Sequence, residues 1–333
     1  MNASTAVQLS RHTLQRRGHG LVRPECVLAT ASGDLYTADW RGGVCHLLPG
    51  GEQRLYTGAV AALGAEGLRP NGIALLRDGS FLLAHLGSET GGVYRLWRDG
   101  RCEPWLLDVA GEPLPPTNFV LPDAAGRVWV TVSTRQRPRS AAYRRAGGDG
   151  FIVCVQEQGG VRTARVVADG LGYTNEVALH PSGRWLYVNE TFARRLSRFA
   201  LQADGSLGAR ETVTEFGAGT FPDGLAFDEA GHAWVVSIVS NRLIRVAPDG
   251  AQTLWLEDSD DGHLAEVEAA FAQGTMGRPH LDRVASRVLR NISSLAFCGA
   301  ERRTAVLGCL LGDRLATVRL PVAGVAPTHW SFP

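Results

Sequence analysis

The chain of 333 residues contains no lysine, and all 34 of its basic side chains are arginine. Lysine chemistry is therefore excluded, because a Schiff-base nucleophile, a phosphate-loop lysine and a lysine general base each need an amine whose pKa burial can lower. The 33 acidic side chains leave a net charge of +1. This balance gives no electrostatic reason to expect nucleic acid or a membrane as partner, so a small-molecule substrate is expected.

Features that mark several other classes of protein are also missing. The six cysteines are scattered, with no C-x-x-C pair and no Cys/His cluster at zinc spacing, which is typical of small core residues in a reducing compartment. No segment approaches the roughly 18 apolar residues of a membrane span, and the N-terminal segment lacks the apolar core of a signal peptide. Without G-x-S-x-G, H-E-x-x-H or G-x-G-x-x-G, no motif supports a serine hydrolase, a zincin or a dinucleotide-binding enzyme. A cytoplasmic location is expected.

What the sequence does contain is an internal repeat. Each copy opens with a polar residue, has an aliphatic residue two positions on, and reaches a glycine eight positions on, followed by an apolar run. The opening residues are Glu25, Asn71, Asn118, Asn175 and Asp223, and the glycines are Gly33, Gly79, Gly126, Gly183 and Gly231. A glycine turn between two apolar segments predicts a strand, a tight turn and a second strand in every copy.

The spacing of the copies indicates the architecture. Successive openings are 46, 47, 57 and 48 residues apart, and a sixth, degenerate copy begins at Ser293. Units of about 40 to 50 residues with four short strands are typical of β-propeller blades. We therefore expect a single all-β domain over residues 1–333, a six-bladed β-propeller, with a β-sandwich of irregular hairpins as the alternative. The N-terminal ~20 residues are expected to form a tail or a closing strand.

Two insertions interrupt the repeat. An arginine-rich segment over residues 134–150 lengthens blade 3 and predicts a mobile, solvated loop over one face. A second segment, residues 257–287, separates blades 5 and 6. In it Asp261 is the expected cap of a short helix, because apolar residues such as Val267 and Phe271 recur at helical spacing. This helix either packs against the edge of the propeller or acts as a lid.

The opening residues are the candidate functional residues. In a propeller, equivalent positions of the innermost strands point toward one central channel, so these residues converge. They offer only oxygen donors: Glu25, Asn71, Asn118, Asn175, Asp223 and Ser293. Two carboxylates in a confined site favour a divalent cation, because one of them must otherwise protonate, and oxygen ligands select Ca²⁺, Mg²⁺ or Mn²⁺. The alternative is that each polar residue satisfies the backbone of a local turn.

These residues also carry a family resemblance. The openings E-C-V, N-F-V, N-E-V and P-D-G, the glycine turns and the late segment SLAFCGAERRTAVLGCLLGDRL resemble the regucalcin/gluconolactonase family of six-bladed propeller hydrolases over residues 21–320. The resemblance implies one divalent cation bound by Glu25, Asn175 and Asp223, with Asn118 as a further ligand. It also implies that Asp223 is the catalytic base. Calcium is the expected ion, with magnesium, manganese and zinc as alternatives.

The chain departs from the family beside those ligands. Characterised sugar lactonases read E-G-P, N-D-G and N-G where this sequence has E-C-V, N-F-V and N-E-V, and Pro116 stands in place of an arginine. The expected substrate-binding residues are Arg69, Asn71, His85, Phe119, Tyr173 and Phe221. The three aromatic residues in this set indicate a ligand less polar than a sugar-acid lactone. The histidine is a candidate proton shuttle, and the arginine is a candidate partner for a carboxylate.

The expected reaction is hydrolysis of a cyclic ester, in which a metal polarises the carbonyl group and Asp223 accepts a proton from the attacking water. Three alternatives use the same scaffold. They are hydrolysis of another ester such as a phosphotriester, a strictosidine-synthase-like reaction, and a non-catalytic propeller that binds its partner through the arginine-rich loop. The fold alone does not separate them.

Overall fold

Six four-stranded antiparallel sheets follow one another along the chain in the computed structural model, which describes residues 9–283 and 286–333. In blades 1 to 5 the strands lie side by side in the order of the sequence. Such a meander is the blade of a β-propeller, and the prediction of an all-β, six-bladed propeller is confirmed.

The first three blades are each built from four consecutive strands. Blade 1 comprises Val27–Ala29, Leu35–Asp39, Gly43–Leu47 and Gln53–Thr57. Blade 2 comprises Pro70–Leu75, Phe81–His85, Val93–Leu96 and Cys102–Leu106. Blade 3 comprises Thr117–Pro122, Val128–Val132, Gly150–Gln158 and Val161–Leu171.

Blades 4 and 5 are also built from four consecutive strands, and one strand of blade 6 comes from the N-terminal segment. Blade 4 comprises Thr174–Leu179, Trp185–Glu190, Arg195–Leu201 and Leu207–Glu215. Blade 5 comprises Thr220–Phe227, Ala233–Val239, Arg242–Val246 and Gln252–Leu256. Blade 6 comprises Ile292–Cys298, Thr304–Cys309, Leu315–Arg319 and Gln15–Arg17.

The glycine at the eighth position of each repeat closes the hairpin between the first two strands of its blade. All five have a positive φ, between 69° and 89°: Gly33, Gly79, Gly126, Gly183 and Gly231. Glycine adopts this left-handed conformation without steric cost, which explains the constant register of the repeat. In blade 6 the positive φ values fall at Gly299 and Arg302 instead, so this copy does not need the glycine in register.

Apolar residues of neighbouring blades form the core between them. Between blades 2 and 3, for example, Leu82 and Ala84 belong to one buried cluster with Val130 and Val153. Because other blades cover both faces, the second strand of a blade is buried along its whole length, as in Val128–Val132. This explains why these strands read as continuous apolar runs rather than as alternating ones.

The ring is closed by a strand from the N-terminal segment. Gln15–Arg17 pairs antiparallel with Leu315–Arg319 and forms the outermost strand of blade 6, with Arg16 opposite Ala316. Segments from both ends of the sequence therefore share one sheet, which ties the last blade to the start of the ring. Residues 1–8, which the sequence assigns to the same segment, lie outside the described residues.

The insertion between blades 5 and 6 carries two α-helices, Asp261–Ala272 (α1) and Arg278–Asp282 (α2). The cap of α1 is Asp260 rather than the expected Asp261, because the Asp260 side chain accepts a hydrogen bond from the backbone N–H of His263 at 2.8 Å. Residues 284 and 285 of the insertion lie outside the described residues.

The remaining elements are short. Three 3₁₀ helices cover Arg11–Thr13, Ala61–Glu66 and Arg139–Ala142, and a small hairpin joins Asp108–Val109 to Glu112–Pro113. Within residues 9–283 and 286–333, no helix has the length and apolar character needed to cross a membrane.

Candidate active site

An irregularity in strand pairing recurs at the opening residues. In blades 2 to 6 the pairing between the first two strands shifts register near the start of the first strand, for example between Thr117 and Phe119. Such β-bulges turn a side chain away from the regular alternation of a sheet. Asn118 lies inside this bulge in blade 3, Asp223 lies inside its counterpart in blade 5, and both line the central channel.

Four of the opening residues meet around a cavity of about 30 Å³: Glu25, Asn118, Asn175 and Asp223. Each of them is at most 6% exposed. A cavity of this size accommodates roughly one water molecule or one ion. The fold therefore brings two carboxyl groups and two amides around the space for a single small ligand.

Burial of the carboxyl groups dominates the electrostatics of this cavity, and the repulsion between them adds to its effect. Burial raises the pKa of Asp223 well above its usual range, and the charges of Glu25 and Glu176 raise it further. The charge of Arg23 and a hydrogen bond with Asn175 oppose this rise. Two adjacent buried carboxylates are costly to ionise together, so the site favours a proton or a positive charge between them.

Glu25 finds part of that compensation in Arg23. Its Oε2 lies 2.8 Å from Nη2 of Arg23, but the two groups are not aligned as a hydrogen bond, and Oε2 has no donor among the described residues. Oδ1 of Asn118 is likewise buried, and no donor in the described part of the chain reaches it. Because a buried oxygen without a donor costs about 1–3 kcal/mol, two of them beside one small cavity fit the ligand set of a cation.

A chain of hydrogen bonds orients the amide of Asn175. Its Nδ2 donates to Oγ1 of Thr191 at 3.1 Å, and that hydroxyl donates to the backbone carbonyl of Pro222 at 2.8 Å. Since the amide nitrogen is engaged on this side, the amide oxygen is the group left for the cavity. Thr191 is therefore a positioning residue for Asn175.

The donor set fits a hard divalent cation. Across the ranges that the structure describes, no three His, Cys, Asp or Glu side chains come together in a way that could hold a metal. A metal at this cavity would thus depend on the amide oxygens of Asn118 and Asn175 as well as on Glu25 and Asp223. Carboxylate and amide oxygens are the ligands that Ca²⁺ prefers.

Side chains from both insertions cover the cavity. Tyr143, in the blade 3 insertion, is buried and stacks on Phe192 with the ring centroids 4.4 Å apart, and it meets Tyr173 edge-on at 5.5 Å. Arg278 and Leu281 of α2 line the cavity from the other insertion. The blade 3 insertion thus contributes a buried wall of the site, and it is not wholly the solvated loop that its arginines predict.

Tyr173 lines this cavity and has an unusual backbone. Its φ is +70°, a conformation that non-glycine residues rarely adopt and that persists only where the surroundings impose it. Burial raises the pKa of its phenol above the usual range. Tyr173 is therefore a neutral hydrogen-bond donor beside the two carboxyl groups.

His85 and Asn71 do not reach the cavity. His85 is fully buried, its Nδ1 accepts a hydrogen bond from the backbone N–H of Arg69 at 3.0 Å, and burial lowers its pKa to about 4. A neutral histidine in this place orders the start of blade 2 rather than shuttling protons at the channel mouth. Asn71 donates through Nδ2 to the backbone carbonyl of Asn118 at 3.1 Å and so supports the neighbouring strand.

Phe119 and Phe221 also lie away from the cavity. Phe119 lines a second, largely apolar cavity of about 300 Å³ at the end of the channel where the hairpin turns lie. Phe221 is completely buried, with its ring centroid 5.3 Å from that of Phe271 in α1 and 4.2 Å from Cζ of Arg194. Phe221 is thus part of the packing beneath the insertion.

Arg69 lines an open cleft of about 620 Å³, which we call the outer cleft. The outer cleft and the small cavity share Arg23, Leu86, Arg139, Arg278 and Leu310 as lining residues. A ligand that reaches the two carboxyl groups from this side therefore passes through the outer cleft.

Sequence reasoning missed several residues of these cavities, and four of them show why. Arg23 lies two residues before Glu25, the first opening residue, and this short spacing could have predicted that Arg23 lies at the site. Glu176 directly follows the fourth opening residue and lines the apolar cavity at the other end of the channel. Tyr143 and Arg278 come from the insertions, whose path over the blades is not contained in the repeat.

Comparison with protein families agrees with this geometry. Residues 23–256 match the family model described as the SMP-30/Gluconolactonase/LRE-like region. The chain belongs to this family. The matched range contains all four residues around the small cavity, and the resemblance drawn from the repeat is confirmed.

Two relatives carry lactonase names. A 6-deoxy-6-sulfogluconolactonase of Pseudomonas putida is 33% identical over 229 residues, which cover 65% of this chain and 68% of the relative. A pentonolactonase of Haloferax volcanii is 28% identical over 185 residues, which cover 54% of this chain and 56% of the relative. A solved structure of calcium-binding regucalcin from Agrobacterium tumefaciens shares the fold, with a TM-score of 0.65 at 16% identity over 95% of this chain and 98% of that one.

Proposed function

We propose that this chain is a divalent-metal-dependent lactonase, which opens a cyclic ester by adding water. The observation that carries the proposal is the pair of buried carboxyl groups, Glu25 and Asp223, beside two amides in one small cavity. The names of the two relatives support a sugar lactone as substrate class. The calcium-binding regucalcin supports calcium as the ion, with magnesium, manganese and zinc as alternatives.

The residues that would hold the cation are Glu25, Asn118, Asn175 and Asp223. When bound, a divalent cation supplies a Lewis acid that polarises the ester carbonyl group. Asp223 accepts a proton as water adds to the carbonyl carbon. The tetrahedral centre then collapses with cleavage of the ring C–O bond, and Asp223 returns the proton to the departing ring oxygen. The product is the open hydroxy acid.

The surroundings of Asp223 support its assignment as the base. Asp223 lies inside the β-bulge of blade 5 and lines the small cavity, so its carboxylate is placed to accept a proton there. Tyr173 lines the same cavity as a neutral donor, which suits a contact with a substrate oxygen.

The proposal is tested on purified protein by elemental analysis and by a panel of lactones. The panel includes gluconolactone, its 6-deoxy-6-sulfo analogue and pentonolactones, assayed by acid release before and after chelation and after addition of each of the four ions. We expect turnover to disappear with chelator and to return with calcium. Full turnover in the stripped protein would refute metal dependence, and turnover of phosphotriesters alone would favour the other ester hydrolase.

Variants of the two carboxyl groups test the site. Glu25→Gln and Asp223→Asn should each lower kcat/KM on the order of 100-fold, because each removes a charge that the transition state requires. Glu103→Gln is the matched control, since Glu103 is exposed on Cys102–Leu106, the fourth and outermost strand of blade 2, away from both cavities. Folded site variants that hydrolyse lactones at the native rate would refute the assignment of Glu25 and Asp223. Native protein that hydrolyses no ester with any of the four ions would leave a non-catalytic binding propeller as the better interpretation.

We also propose a cytoplasmic location. All six cysteines are free, and four of them are buried: Cys26, Cys45, Cys154 and Cys309. Free thiols of this number are typical of proteins in a reducing compartment. Fractionation of cells that express the protein, followed by immunodetection, tests the location, and recovery outside the cytoplasmic fraction would overturn it.

A further inference from the structure

More arginine side chains than carboxylates line the outer cleft. Four arginines line it, namely Arg23, Arg69, Arg139 and Arg278. Of these, Arg278 is engaged, because its Nε and Nη2 both donate to Asp282, at 3.1 and 2.5 Å. The other three have donors to spare.

Arg139 and Arg69 make few contacts of their own. Within the described part of the chain, no carboxylate pairs with the side chain of Arg139, which projects from the short helix of the blade 3 insertion. Nε of Arg69 lies 3.4 Å from Oε1 of Glu66, too poorly placed to count as a hydrogen bond. Glu66 instead accepts hydrogen bonds from the backbone N–H and the hydroxyl group of Ser88, both at 2.9 Å.

Arg23 is the buried member of the group. It is 9% exposed, it lines both the outer cleft and the small cavity, and its Nε–H has no acceptor among the described residues. Burial lowers the pKa of its guanidinium group, Glu25 raises it, and the like charges of Arg278 and Arg139 lower it again. A buried donor surrounded by like charges is costly unless an anion accepts from it.

Trp40 holds two of these guanidinium groups at the cleft wall. Cζ of Arg23 lies 4.3 Å and Cζ of Arg69 5.1 Å from the centroid of the Trp40 ring. Such cation–π contacts fix the planes of the guanidinium groups, which prepares them to bind a planar or tetrahedral oxyanion. The indole Nε1–H of Trp40 is a further buried donor that lacks an acceptor in the described ranges.

The opposing carboxylates of the cleft are already neutralised. Asp282 accepts from Arg278, Asp313 lies 3.7 Å from Nε of Arg314, and Glu66 accepts from Ser88 while its charge faces Nε of Arg69 at 3.4 Å, so the three carboxylates offset three arginines and leave the charge of Arg139 without a partner in the described part of the chain. The small cavity has room for about one ion, so a substrate whose reacting end meets this ion must lie largely in the adjoining outer cleft. The group at that far end therefore faces the arginines.

We propose that the outer cleft is an oxyanion-binding subsite, in which Arg139, Arg69 and Arg23 bind a negatively charged substituent at the end of the substrate remote from the lactone carbonyl. The inference rests on the proposed lactonase function and specifies its substrate class. The preferred substrate is a lactone with a carboxylate or similar oxyanion rather than a neutral sugar lactone.

The test uses two lactones of the same ring size, neutral D-glucono-1,4-lactone and D-glucaro-1,4-lactone, whose sixth carbon is a carboxylate. Their binding to chelator-treated protein is measured by calorimetry, so that affinity is separated from turnover. We expect the carboxylate to bind about tenfold more tightly, the value of one additional hydrogen bond to a charged group, and this preference to shrink at high salt.

Variants identify the residues responsible. Arg139→Gln should abolish the preference and Arg69→Gln should reduce it, because each lowers the affinity for the carboxylate lactone more than the affinity for the neutral lactone. Arg54→Gln is the matched control, because Arg54 is exposed on the outer strand of blade 1, pairs with Glu52 and lines neither the outer cleft nor the small cavity. Equal affinities in the native protein, a preference that survives both variants, or failure of the carboxylate lactone to bind would overturn the proposal.

Hydrolysis of the two lactones by the metal-loaded enzyme separates a failure of this proposal from a failure of the proposed function. Equal hydrolysis of both lactones, together with equal binding, would leave the lactonase in place and refute the subsite. Selective binding of the carboxylate without hydrolysis under any metal condition would support the subsite and refute the lactonase.

Discussion

Replacing Glu176 by glutamine should stabilise the protein, and the gain should grow with pH. Glu176 is buried, and its Oε2 accepts a hydrogen bond from the backbone N–H of Leu225 at 2.8 Å. Burial is the main cause that raises the pKa of this carboxyl group to about 8, with a further contribution from the charge of Glu25 and opposition from hydrogen bonds with Leu225 and Ser294. At neutral pH the folded protein therefore keeps Glu176 protonated, whereas the unfolded chain ionises it.

The direction and the size of the effect follow from the two pKa values. A carboxyl group whose pKa is raised on folding contributes its full stability below the unfolded value of 4.5, and loses it as the pH rises toward about 8. Each pH unit in this window corresponds to about 1.4 kcal/mol, so the native protein loses about 3 kcal/mol by pH 7 relative to a variant that does not titrate. Glutamine retains an acceptor for the N–H of Leu225 and has no charge to bury.

The difference in free energy of unfolding is measured by urea titration followed by tryptophan fluorescence. The titrations are run in chelator, between about pH 5 and about pH 8. Glu176→Gln and the native protein should agree within about 1 kcal/mol at the acidic end and separate steadily above it. Glu103→Gln, an exposed carboxyl group outside both cavities, should differ from the native protein by a constant amount. A constant difference for Glu176→Gln as well would mean that the buried group is already ionised, and the reasoning would be wrong.

Two further substitutions test the positioning of the site. Thr191→Val removes the acceptor that orients Asn175, so calcium affinity measured by calorimetry should fall about tenfold, and unchanged affinity would refute the positioning role. Gly224→Ala would place Cβ 2.5 Å from Cα of Ser294 in the next blade and should lower the free energy of unfolding by about 1–3 kcal/mol in urea titrations. Gly50→Ala is its control, because a Cβ there meets no atom within 4 Å; equal stability of the two alanine variants would contradict the close approach.

The blades were accessible to sequence reasoning because their turns impose a local requirement. A glycine at positive φ is needed at one fixed distance after each inner strand begins, so the chain repeats that glycine where little else repeats. Blade 6 shows the limit of the pattern. Its hairpin turns through Gly299 and Arg302, and only the apolar run and the remaining spacing indicate the blade.

The site was accessible in part, because the channel has two ends and the repeat predicts only one of them. Four of the six opening residues face the small cavity, whereas four residues that directly follow an opening position line the apolar cavity at the other end: Cys26, Phe119, Glu176 and Ser294. Consecutive strand residues point to opposite sides, and the bulge at each opening displaces this alternation. The repeat alone therefore predicts Phe119 at the substrate site, whereas its neighbour Asn118 is the residue that lines the small cavity.

The insertions carry the part of the site that no repeat could predict. Tyr143 and Arg278 are far apart in sequence, and they meet above the cavity only because two loops cross the same face of the propeller. Burial of Tyr143 against Phe192 results from that crossing and leaves no periodic signal in the sequence. An arginine-rich composition predicts a solvated loop, and it does not distinguish Arg135, which pairs with Asp169 at the surface, from Arg139, which lines the cleft.

Arg23 connects the small cavity with the outer cleft. Its Nη2 lies 2.8 Å from Glu25 and its Cζ lies 4.3 Å from the centroid of the Trp40 ring, so one side chain belongs to both walls. The carboxylate of Glu25 balances the charge of Arg23, and a cation bound to Glu25 would be balanced by the same carboxylate. A buried guanidinium group that shares its carboxylate in this way gains more from a second anion than an exposed arginine does. Affinity for a divalent cation and preference for an oxyanion substrate are therefore expected from the same buried ion pair.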